Sequence, residues 1–197
     1  MAQLFFKEFS DIAVSSGQPK LTMIRKEKNK PPYQPAGDYY KQLREAIVEA
    51  HKQGLGKVYI TSEANGCPNP KRKGNYIALA KAYNKWWGKK AITSHSHQKD
   101  TFSANGIDII LNPELFLEWS GHKHLVKLYF NQEAMTQARA NYMIHLMDVV
   151  YSGRGIDEFN VLDIKKGKLF SFTGSAANFS IGLSAETAFI AAAWPGL

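Results

Sequence analysis

The stretch PELFLEWSGHKHLVKLYF, residues 113–130, combines strand alternation, a turn and charges set among apolar residues, and its reading decides the fold. It predicts a β-hairpin. Ser120, Gly121, His122 and Lys123 supply the turn, and either a two-residue loop at Gly121 and His122 or a four-residue loop pairs Trp119 with His124. Side chains alternate across a sheet, so Leu115, Leu117, Trp119, His124, Val126, Leu128 and Phe130 then fall on one face, an apolar surface for a helix to cover. Glu114, Phe116, Glu118, Leu125, Lys127 and Tyr129 fall on the other. In this register Lys127 faces Phe116 and lies diagonal to both Glu114 and Glu118, at roughly 7–8 Å, near enough for long side chains to meet. A three-residue loop would slip the pairing and undo this arrangement.

Downstream, the spacing of Met135, Ala138, Tyr142, Leu146 and Val149 predicts a long helix over 132–151, the expected cover for the hairpin's apolar face. A second hairpin follows in FNVLDI, KKGK and LFSFTG, and Ser184 is the expected N-cap of a last apolar helix that stops at Pro195. Upstream, IDIIL at 107–111 reads as a strand, although a tight turn or a bulge at Asn112 and Pro113 gives opposite faces for Asp108 relative to Glu114. Residues 94–106 read as a loop and Lys90 to Ser94 as a strand. Tyr76, Leu79, Ala80, Tyr83, Trp86 and Trp87 collect on one side of a helix over 75–88, more as core than as a base-stacking surface. The polar loop 62–74 ends in PKRKG, and KVYIT at 57–61 reads as a strand. Asp38 caps an amphipathic helix carrying Tyr40, Leu43, Ile47 and Ala50, with Glu45 and Glu49 on its solvent side and Arg44 and His51 at the edge of its stripe, within reach of a cleft. Residues 1–37 hold two extended candidates, Leu4 to Phe9 and Lys20 to Ile24, then RKEKNK and the stiff PPYQP. The expectation is an α/β fold of the mixed α+β kind, a central mixed sheet flanked by helices. One domain spans 1–197, with 1–37 as a basic arm or edge strands and 38–197 as the core.

Charge is placed unevenly along the chain. The net charge is +8, yet residues 1–90 hold 17 Lys and Arg against 7 Asp and Glu, while residues 91–197 hold 8 against 10. A basic half suggests an anionic partner, nucleic acid first (DNA or RNA) and an anionic membrane surface second. Arg25, Lys26 and Lys28 in the first basic run, and Lys71, Arg72 and Lys73 in the second, are the candidate phosphate contacts. A solvated edge strand whose lysines block aggregation explains the first run equally well. The single cysteine, Cys67, suits a reducing compartment, with cytoplasm as the expectation, and no run approaches the roughly 20 apolar residues that span a bilayer.

With PE at Pro113 and Glu114, Lys127 on the next strand, and three strands from Gly106 followed by a covering helix and further strands to Phe172, the pattern resembles the core of the PD-(D/E)XK nuclease superfamily. The resemblance implies a restriction-endonuclease-like core, an acid beginning one hairpin strand and an acid-x-Lys triplet on the next. Here that triplet is Leu125, Val126, Lys127, so its acid is missing. In the expected register Glu118 lies across from Leu125 and occupies nearly the vacated space. Glu114 and Glu118 are then the candidate ligands of Mg²⁺, with Lys127 positioning or activating the nucleophile. The resemblance also makes Glu45 or Glu49 of the first helix a candidate by position. Three functions compete: a metal-dependent phosphodiesterase, a nucleic-acid-binding or accessory protein that does not cut, and a hydrolase using metal held by the pairs His95/His97 and His122/His124. The charges at 114, 118 and 127 also have a plain explanation as a cross-strand ion pair on a solvated sheet face, contributing about 0.2–1 kcal/mol. No P-loop, GxGxxG, GxSxG or HExxH pattern is present.

Overall fold

The computed structural model describes residues 2–32, 34, 37–131 and 133–197. Tyr33 and Pro35 of the expected stiff segment, Ala36 after it, and Gln132 at the expected start of the long helix, lie outside the described residues. In chain order the elements are β1 (Ala2–Phe5), α1 (Phe6–Ala13), α2 (Gly17–Lys28), α3 (Lys41–Lys52), α4 (Gly56–Asn65), α5 (Pro70–Trp87), β2 (Thr93–His95) and β3 (Asp100–Ala104). There follow β4 (Ile107–Leu111), β5 (Leu115–Trp119), β6 (His122–Tyr129), α6 (Gln137–Tyr151), β7 (Glu158–Asp163), β8 (Lys168–Phe170) and α7 (Ala176–Ala193). The mixed α/β class is as expected.

Two sheets form. One runs β2-β5-β6-β7-β8, antiparallel except for the parallel pair β6 and β7. The other runs β1-β4-β3, with β1 parallel to β4. IDIIL therefore belongs to a different sheet from the hairpin that follows it, and β2 is the strand beside β5.

The hairpin forms, with its reversal one residue earlier than expected. Trp119 pairs with His122, leaving Ser120 and Gly121 as the loop, both at positive φ (53° and 81°) as a tight two-residue reversal requires. The ladder is displaced by two residues from the expected pairing of Trp119 with His124. An even displacement keeps every side chain on its expected face. Trp119 and His124 still meet, as diagonal neighbours, with their rings stacked 3.4 Å apart.

Both faces of this sheet are covered. Leu115, Leu117, Val126, Leu128 and Leu162 pack with Leu43, Ile47, Ile60, Tyr76 and Tyr83 of α3, α4 and α5. Leu125, Tyr129 and Val161 pack on the opposite side with Phe6 and Phe9 of α1, Ile24 of α2 and Met143 and Met147 of α6. The long helix thus covers the face that was expected to be polar. This explains why β6 is buried from His124 to Tyr129 without alternation, as in strands enclosed on two sides.

Four local expectations are corrected for identifiable reasons. Leu4 to Phe9 and Lys20 to Ile24 are mostly helical, because Phe6, Phe9 and Ile12, and Lys20 and Ile24, have the three- and four-residue spacing of one helix face. Only Ala2–Phe5 is an edge strand, so residues 6–28 are packed helices rather than an arm. KVYIT sits in α4, where burial of Ile60 and Ala64 against α3 and α5 overrides β-branched propensity. Within 94–106, Asn105 and Gly106 make a second positive-φ reversal (51° and 76°) joining β3 to β4.

Candidate functional site

Glu114 lies just before β5 and Lys127 on β6. One further step in the ladder from Leu115 opposite Val126 sets the two directly across from each other. Lys127 Nζ donates to Glu114 Oε1 at 2.7 Å, to the Asn112 carbonyl at 3.1 Å and to Asn112 Oδ1 at 3.2 Å. The Leu128 amide donates to Glu114 Oε2 at 2.7 Å. Three acceptors meet the three ammonium protons, and both carboxylate oxygens are engaged. Lys127 is 7% exposed, with its Nζ 5.1 Å from the centre of the Phe6 ring. The result is a buried clasp that fastens the Asn112–Glu114 connection to β6.

Glu118 is not part of it. It pairs with Lys123, four residues along β6 from Lys127, or about 13 Å at the rise of a strand. Its carboxylate instead accepts from His95 Nε2 at 2.9 Å, which β2 brings alongside by pairing Thr93 with Glu118. Glu118 therefore does not fill the space of the missing acid, and Leu125, opposite Phe116, is fully buried in apolar contact.

Glu114 also lines a groove of about 680 Å³ together with Glu45 and Glu49 of α3, Tyr59 and Glu63 of α4, and Arg72 of α5. The groove's cations are engaged at its rim: Arg44 Nη2 lies 2.6 Å from Asp38, and Lys41 Nζ 3.7 Å from Glu45. Mg²⁺ seeks several oxygen ligands at once. Among the described residues no group of three or more His, Cys, Asp and Glu side chains is gathered to hold a metal. Glu114 is engaged by Lys127 and Leu128, and Glu118 by His95, at separate places on the sheet.

Among the described residues neither histidine pair gathers a third ligand. His97 Nε2 lies 2.8 Å from the Pro113 carbonyl, and His124 Nδ1 lies 3.0 Å from Asn160 Oδ1 and 3.4 Å from Glu158. His51 does not reach a cleft. It is buried, stacked on Trp87 at 4.1 Å, with Nε2 2.5 Å from the Tyr83 hydroxyl. Burial lowers its pKa to about 4 and raises that of Tyr83 well above the ordinary tyrosine value. A neutral imidazole that accepts the tyrosine proton satisfies both groups.

The two basic runs part company. Arg25, Lys26 and Lys28 belong to α2, whose Ile24 joins one core; Lys71, Arg72 and Lys73 belong to α5, whose Tyr76, Leu79 and Tyr83 join the other. PKRKG, read above as loop, is the first turn of α5. Asn69 accepts from the Lys71 amide and Pro70 follows it, an N-cap and first-turn proline that were legible in the sequence. Continuing the helix back to Pro70 puts exposed Lys71 and Lys73 in phase with exposed Lys81 and Lys85, within about half the circumference. Arg72 turns sideways, its guanidinium 4.9 Å from the centre of the Tyr39 ring. Over its 18 residues α5 carries no acidic residue, and its Tyr76, Tyr83 and Trp86 are buried as core.

No protein-family model matches the chain, and no curated protein matches it in sequence. Among the described residues no helix is long and apolar enough to cross a membrane.

Proposed function

We propose that the chain is a nucleic-acid-binding protein on a nuclease-like scaffold that binds without cutting. The observation that carries this is the acid-free basic face of α5. Lys71, Lys73, Lys81 and Lys85 are all exposed along it, a span of about 21 Å at helical rise, comparable with six base pairs of duplex. Phosphates would track this face, while the acid-rich groove beside it repels them. The nuclease-like reading draws support from the hairpin β5 and β6, the covering helix α6 that follows it, and β7 parallel to β6, although β4, the first of the three strands expected from Gly106, lies in the other sheet. The non-cutting reading draws support from the Glu114–Lys127 clasp, whose donors and acceptors are already satisfied within the chain.

Fluorescence anisotropy with labelled duplex and single-stranded DNA and RNA tests the proposal. Affinity should fall steeply with salt and stay unchanged on adding chelator. Replacing Lys71, Lys73, Lys81 and Lys85 together by Gln should flatten the slope of log K against log[salt] by about 3–4 on duplex, since each phosphate contact contributes about 0.9. Salt-insensitive binding, or an unchanged slope in the fourfold variant, would reject this assignment.

A further inference from the structure

The last helix has no charged side. Of the 18 residues in α7 only Leu183, Thr187 and Ile190 are buried, yet its outer side carries Ile181, Ala185, Ala188, Phe189 and Ala192 with the uncharged Asn178 among them, rather than a solvated charged face. Ile181 is 70% and Phe189 44% exposed. The one acid of α7, Glu186, turns inward, 2.7 Å from the Lys20 ammonium of α2. A helix that is apolar nearly all round ordinarily contacts something on its outer side as well.

The neighbouring element supplies the chemistry of the partner. Helix α2 lies against α7 through that ion pair, through Lys20 Nζ 5.3 Å from the Phe189 ring centre, and through Lys28 Nζ donating to the Pro195 carbonyl at 3.2 Å. Its outer side exposes Arg25 and Lys26, and its acid, Glu27, is taken up by Lys30 at 2.9 Å. An uncharged, mostly apolar strip on α7, with exposed cations on the helix packed against it, is complementary to one kind of surface, a bilayer with anionic headgroups, whose acyl boundary Ile181 and Phe189 would enter and whose phosphates Arg25 and Lys26 would meet. A second copy of the chain would set cation beside cation along the same strip. We infer that α7 and α2 together form a docking face for an anionic membrane surface, separate from the α5 face.

The test is co-sedimentation of the full chain with vesicles of phosphatidylcholine alone and of phosphatidylcholine with roughly one third phosphatidylserine, the lipid that provides the negative surface. Binding is expected to the anionic vesicles and at least tenfold weaker to the neutral ones. Ile181→Ser with Phe189→Ser changes no charge and alters exposed positions. It should weaken binding about tenfold or more while leaving the circular dichroism spectrum and nucleic-acid affinity unchanged. Arg25→Gln with Lys26→Gln should weaken binding to the anionic vesicles alone, again about tenfold or more. Absence of binding to anionic vesicles at low salt would overturn the inference. So would equal binding by the serine pair, because charge alone would then account for it. A dimer in light scattering that the serine pair dissociates, with no vesicle binding, would overturn it in favour of a second copy.

Discussion

Lys127→Met is expected to destabilise the folded chain by about 3–5 kcal/mol, read from urea denaturation, because it strands the Glu114 carboxylate in a site that water barely reaches. The Glu114 side chain is 11% exposed and that of Lys127 9%. Glu114→Gln should also destabilise, because a neutral amide leaves the buried ammonium without its counter-charge. The double variant Glu114→Gln/Lys127→Met is the informative one. With neither charge left unpaired, its loss should fall short of the sum of the two single losses by about 1–3 kcal/mol. Additive losses would mean that the two side chains do not act as one clasp. The fastening also has an architectural consequence. The Asn112–Glu114 connection is where the chain leaves the three-stranded sheet at Leu111 and enters the five-stranded one at Leu115, so loosening it releases the join between sheets.

Stability should also fall by about 3 kcal/mol between neutral pH and pH 4 through His51 alone. Burial holds its folded pKa down at about 4, against an ordinary 6.5. As pH drops through 6.5 the unfolded chain takes up a proton that the folded chain refuses until about pH 4, so this contribution is complete above 6.5 and is lost progressively below it. Protonation would also make Nε2 a donor and break the acceptance of the Tyr83 hydroxyl. His145, whose pKa burial also lowers, adds in the same direction. Urea curves collected across this window for the native chain and for His51→Gln isolate the term. The variant should lose much of the pH dependence, and parallel curves would place the imidazole in solvent instead.

Period-two alternation places residues 115–119 and 124–129 on their correct faces even with the pairing displaced, because the displacement is an even number of residues, while His122 and Lys123, read as turn, belong to β6. The turn itself was harder to place. Ser120 adopts positive φ, which a non-glycine residue does uncommonly, so residue type points to Gly121–His122 and not to Ser120–Gly121. The fate of the charges was not legible. Alternation shows that Lys127 opposes the apolar face, but only the long-range packing of α1 and α6 shows that its own face is enclosed too. Glu118 is likewise decided at a distance, by β2 arriving alongside β5 with His95. Other features are legible in the sequence: Asn105–Gly106 is a strong hairpin signal, the spacing of Phe6, Phe9 and Ile12 is helical, and Asn69–Pro70 marks the start of α5.

Glu114 and Lys127 are proposed to hold strands together without performing chemistry. Incubation of supercoiled plasmid and of single-stranded DNA and RNA with the chain in millimolar Mg²⁺ or Mn²⁺, beside Lys127→Met under conditions where both remain folded, addresses it most directly. Intact substrates are expected with both proteins. Nicking or degradation by the native chain that disappears in the folded variant would contradict it.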